Sequence, residues 1–108
     1  MRLTAGIWVS AYLARLRLAD VPAFVVRRGD TTAGAVLVKL NRLDGEATCF
    51  QRSFDLMSGE RRWIELTSGK EATVDEAIAL QCSFDPDLWV IEVESRAGRH
   101  LLDEPGLE

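Results

Sequence analysis

Histidine is nearly missing from this chain, cysteine is scarce, and no apolar run approaches the roughly eighteen residues that a bilayer crossing needs. Each shortage excludes something. With His100 as the single histidine, a histidine-based metal centre or a Ser-His-Asp relay would rest wholly on Arg99-His100-Leu101. The simpler reading of His100 is a surface or capping residue. Cys49 and Cys82 lie far apart, form no CxxC pair and are too few for a disulfide scaffold, so they are read as reduced thiols. Arg2 precedes an apolar stretch, but a single basic residue, no small-x-small cleavage site and the return of arginine at Arg15 and Arg17 favour a folded first helix over a signal peptide. Gly29 and Gly34 do not make a phosphate loop, because the Gly-Lys-Ser/Thr ending is absent. The expectation is a cytoplasmic protein that does not span a membrane.

What is present is ordinary globular composition. The 108 residues, 47% hydrophobic and 28% charged, are expected to form one domain over 1–108 around one core, with 104–108 as a frayed tail. Net charge is −4, divided as +4 over residues 1–54 and −8 over 55–108. Two halves of opposite sign attract on folding, and that plain reading is preferred to a face for a polyanion.

Apolar spacing predicts a helix over residues 6–20, with Thr4 as N-cap and Pro22 beyond its end. Strands follow at 23–28, 35–42 and 46–52, the last two joined by Asp44-Gly45, a strong hairpin dipeptide. A fourth strand is expected at 61–67. A second helix is expected at 73–82, opened by a Thr73/Glu76 capping box and stopped by Asp85-Pro86-Asp87. The last strand occupies 88–94. The fold class is therefore α+β: helix, three-strand antiparallel meander, fourth strand, helix and final strand, with the helices packed on a mainly antiparallel sheet.

Strand parity divides the sheet into two faces. Phe24, Val26, Val36, Val38, Leu40 and Phe50 form an apolar side, and Trp89, Ile91 and Val93 do the same on the final strand. The other side is mixed, carrying Val25, Arg27, Ala35, Leu37, Lys39, Asn41, Cys49 and Gln51, with Leu88, Val90, Glu92 and Glu94 on the last strand. Such a face is either half covered by the second helix or a binding surface. As a binding surface its candidate partner-contacting residues are Arg27, Leu37, Lys39, Asn41, Gln51 and Leu88.

Several blocks taken in order, Ile7-Trp8-Val9-Ser10-Ala11-Tyr12-Leu13, Arg28-Gly29-Asp30, Ala33-Gly34-Ala35-Val36-Leu37-Val38-Lys39, Asn41-Arg42-Leu43-Asp44-Gly45 and Phe84-Asp85-Pro86-Asp87-Leu88-Trp89, resemble a bacterial family. It is the mostly alphaproteobacterial family catalogued as domain of unknown function number fourteen ninety-one. The resemblance covers nearly the whole chain. It implies a bacterial cytoplasmic setting and carries over no reaction, cofactor or catalytic residue.

Residues able to do chemistry each have a simpler role. Cys49 beside Lys39 could be an activated thiolate, but a small residue filling a pleat suffices. Asp85, Asp87, Glu92 and Glu94 offer oxygen to a hard cation at a spacing that matches no known loop. Arg28-Gly29-Asp30 reads as a turn, with glycine supplying backbone freedom and aspartate a side-chain cap. Arg27, Lys39, Arg28, Arg42, Arg61 and Arg62 could track phosphates, yet stacking aromatics are missing among them and the pI is near 5. No cofactor or metal is expected. The expected function is non-enzymatic: a module binding a protein partner or itself as a homodimer, with a nucleic-acid-associated accessory factor as the alternative.

Overall fold

The computed structural model describes residues 3–107 and arranges them as α1 (Ala5–Leu18), β1 (Ala23–Arg27), β2 (Val36–Asn41), β3 (Glu46–Phe54), β4 (Arg61–Lys70), α2 (Glu71–Phe84) and β5 (Trp89–Glu94). The α+β class and the element order are as the sequence predicts. The five strands form one sheet in the order β1-β5-β2-β3-β4. Three of the four pairings are antiparallel, and β2 with β5 is parallel, so the sheet is mixed.

This order moves the meander one strand along. The expected pairing of β1 with β2 does not form, because β5 lies between them, and the continuous antiparallel run is β2-β3-β4. Residues 88–91, Leu-Trp-Val-Ile, are all buried, as befits an interior strand covered on both faces. The register of β1 on β5 also reverses the parity expected for β1. Val25 pairs with Ile91 and Phe24 with Glu92, so Val25 shares the Ile91 side and Phe24 the other.

Elsewhere the two-face division holds. Val38, Leu40, Trp89, Ile91 and Val93 pack with Trp8, Val9, Tyr12 and Leu16 of α1. Leu37, Cys49, Leu88 and Val90 pack with Val74 and Ile78 of α2. A helix therefore covers each side of the sheet. Burying these side chains, at about 1.5–3 kcal/mol for each large apolar residue, is the main force holding both layers.

Backbone carbonyls satisfy the helix starts. The Ala5 and Gly6 amides donate to Thr32 O and Thr31 O, and the Glu71 amide donates to Gly45 O. Thr4 is the N-cap residue of α1 without a side-chain cap bond. The Thr73/Glu76 box does not cap α2, which begins two residues earlier with Lys70 at its N-cap. Residues 104–107, expected to fray, lie along α1: Trp8 Nε1 donates to Leu107 O at 3.0 Å and Arg15 Nη1 to Pro105 O at 3.0 Å.

Candidate functional site

Of the two readings left open for the mixed sheet face, the structure shows cover by the second helix. α2 lies over it, leaving Lys39 4% and Asn41 8% exposed and burying Leu37 and Leu88. Lys39 Nζ sits 2.7 Å from Glu71 Oε2, 2.7 Å from Asp75 Oδ1 and 3.3 Å from Glu92 Oε1. Asn41 Nδ2 joins the group by donating to Glu71 Oε2 and Glu92 Oε2. Burial alone would lower the Lys39 pKa, but the hydrogen bonds its ammonium donates to Asp75 and Glu71 and the charges of Glu92 and Asp75 outweigh it and raise the value. This cluster pins α2 to the sheet. Arg27 is likewise engaged, its guanidinium donating to the carbonyls of Asp85, Pro86 and Leu88 just after α2.

An open concavity lies instead at one end of the sheet, and strand lengths create it. The last β2–β3 pair is Leu37 with Gln51, while β3 continues to Phe54 beside β4. The chain before β2 turns toward β5, where the Trp89 amide donates to Ala35 O at 2.8 Å. The notch so formed is a cleft of about 850 Å³. Three expected contact residues, Leu37, Gln51 and Leu88, line it; Arg27, Lys39 and Asn41 do not.

The most distinctive group in the cleft is Arg52. Its register partner across β3–β4 is Trp63, and α1 brings Trp8 against Trp63, 5.3 Å between ring centroids, on the same side of the guanidinium. The guanidinium carbon lies 4.9 Å from each ring centroid, a cation–π contact with both members of the ring pair. Nε and Nη2 are buried with no hydrogen-bond partner. Burial first, and then the neighbouring charge of Arg61, pulls the Arg52 pKa down to about 10. Leu3 and Phe54 form an apolar part of the lining, both close to half exposed. Sequence reasoning missed Arg52. The available signal was the β3–β4 register, which sets Arg52 opposite Trp63.

Close backbone approach builds the wall of this cleft. A Cβ on Gly29 would stand 2.2 Å from Asp87 O, and one on Gly34 would stand 2.5 Å from the same atom. Asp30 Oδ2 accepts the Thr32 and Ala33 amides, and Trp89 Nε1 donates to Asp30 O. The turn lies at 31–33, just after Arg28-Gly29-Asp30: Asp30 supplies its side-chain cap as expected, while Gly29 serves close backbone approach rather than backbone freedom.

The other candidate groups are structural in setting. Burial, with a smaller contribution from Cys82, pushes the Cys49 thiol up to about 12 against the opposing pull of Lys39, so thiolate is scarce at neutral pH. Asp85 Oδ1 accepts the Asp87 amide. His100 Nδ1 accepts the Leu102 amide, and its carbonyl accepts Tyr12 OH at 2.7 Å. No helix among the described residues is long and apolar enough to cross a membrane.

Comparison with known proteins agrees with the resemblance seen in the sequence. The family model described as "Protein of unknown function (DUF1491)" matches residues 3–103. A crystal structure of a DUF1491 family protein from Caulobacter crescentus CB15 is 41% identical, with a TM-score of 0.83 and 97% of each chain covered. The NMR structure of a DUF1491 family protein from Caulobacter crescentus CB15 gives 41% identity and a TM-score of 0.82 over 97% of this chain and 96% of that one. The solution structure of protein Atu0922 from A. tumefaciens is 29% identical, with a TM-score of 0.75 over 88% and 87%. No curated protein matches the chain. On the match over residues 3–103, the chain belongs to the DUF1491 family.

Proposed function

We propose that the protein is a cytoplasmic, non-enzymatic binding module whose protein partner docks in the cleft at the end of the sheet. One observation carries this reading: an arginine with two buried, unpartnered nitrogens, resting against a pair of touching tryptophans in a concavity of mixed polar and apolar lining. Tryptophan and arginine are the residue types that dominate binding energy at protein interfaces, above all in concave, desolvated positions. The exposed apolar side chains Phe54, Leu56 and Met57 extend the same surface along the β3–β4 turn. Phe54→Asp and Leu3→Asp alter exposed cleft positions and should leave folding intact. In quantitative pull-downs from an alphaproteobacterial lysate, a protein retained by the wild type should be recovered about tenfold less on both variants, a loss of about 1.4 kcal/mol. Equal recovery of every retained protein would contradict the reading.

Self-association through β1 is a second reading with its own observation. β1 is an edge strand, and Phe24, Val25 and Val26 are 47%, 40% and 54% exposed. An apolar edge strand invites pairing with another strand. Light scattering at high micromolar concentration should then give twice the chain mass, and Val25→Lys should return the monomer. A monomer throughout would remove this reading.

A further inference from the structure

We infer that the cleft recognises a carboxylate: its occupant is an otherwise apolar peptide segment of a partner protein that presents an Asp or Glu side chain to Arg52. The inference rests on the reading of the cleft as a protein-binding site, and it specifies what the partner must carry. Arg52 makes two ring contacts and, among the described residues, neither a hydrogen bond nor an ion pair. Nε and Nη2 are sealed against the protein, and Nη1 is the nitrogen left outside that seal.

A guanidinium taken partly out of water without an anion is an expensive arrangement unless an anion joins it. Contact with the ring pair restrains the guanidinium in advance, so a carboxylate arriving at Nη1 meets a donor that needs less ordering. The charge around it has the same sense. Arg52 and Arg61 are the two cations, and Asp85 the one acid, among the described lining residues. Leu3 and Phe54, both close to half exposed, offer apolar contact to aliphatic or aromatic neighbours of the acidic side chain, beside a polar lining of Thr4, Thr32, Gln51, Ser53 and Gln81.

A polynucleotide fits less well. Tracking a phosphate backbone needs a row of available cations. Of the six cations expected in such a row, Lys39 and Arg27 are taken by carboxylates and by backbone carbonyls.

Two libraries of end-blocked hexapeptides test this, both with Leu, Val and Phe varied around a fixed centre that is Glu in one and Gln in the other. Binding is followed by NMR at the indole N–H signals of Trp8 and Trp63 and at Arg52 Nε–H. The Glu library should bind at least tenfold more tightly than the Gln library. Arg52→Met, which keeps the apolar stem, should erase that preference, and Arg17→Met on the exposed end of α1 should preserve it. Should Arg52→Met fail to fold, the Glu-to-Gln ratio on the wild type decides alone. Equal binding of both libraries with shifts at Trp8 and Trp63 would overturn the carboxylate and leave the cleft as a protein site. Binding of neither library, with single-stranded RNA shifting the same signals, would overturn the carboxylate and the protein-site reading together.

Discussion

Lys39 shows how much one side chain can be misjudged when its neighbours come from distant parts of the chain. By alternation it belongs to a mixed face, and on an open face Lys39→Asp would be harmless. Glu71, Asp75 and Glu92 surround it instead, so the substitution would set a fourth carboxylate among three. Lys39→Asp should lower stability by about 3 kcal/mol or more, comparable with Leu40→Asp in the α1-side core, as measured by urea unfolding. The raised Lys39 pKa contributes stability that is fully present below the free-lysine value of 10.5 and is lost as pH rises through the higher folded value. It therefore leaves the neutral range untouched. His100 works in the opposite direction. Burial, helped by Arg42 and opposed by Asp103, lowers its pKa below 6.5, so the unfolded chain takes up the proton first. Stability should fall as pH drops below about 6.5. His100→Asn, which keeps an acceptor for the Leu102 amide but does not titrate, should flatten that part of the curve.

At the scale of elements, what was readable in the sequence depended on range. The parity of β2, β3 and β5 follows from alternation alone, and Val38 and Leu40 do face α1 while Leu37 and Cys49 face α2. The insertion of β5 between β1 and β2 has no local signature beyond the unbroken apolar run at 88–91, because parallel pairing joins segments about fifty residues apart. Phe24 was misplaced for that reason: its parity was inherited from a hairpin that does not form. The cleft was less legible still, since it needs Trp8, Arg52 and Trp63 brought together from three elements. A turn near Gly29 was readable in residue type, but the close approach that requires this glycine was not. Gly29→Ala would drive a Cβ into Asp87 O, Leu88 C and the Trp89 ring, all under 3.0 Å. It should cost about 3 kcal/mol, seen as a lowered thermal midpoint, because backbone atoms cannot step aside.

For the whole molecule, the strong asymmetry of charge along the chain resolves partly inside the fold. The single cation at 39, from the basic half, is held by acids at 71, 75 and 92 from the other. The ends of the chain are also joined, with α1 held by the segment that carries His100, Pro105 and Leu107. What remains outward and concave is the notch where β3 outruns β2. The most direct test is to record amide and indole NMR shifts of the labelled protein with and without its co-purified partner. Shifts concentrated at Trp8, Gln51, Arg52, Ser53 and Trp63 are expected. Shifts confined to Phe24, Val25 and Val26, with the cleft signals unmoved, would contradict it.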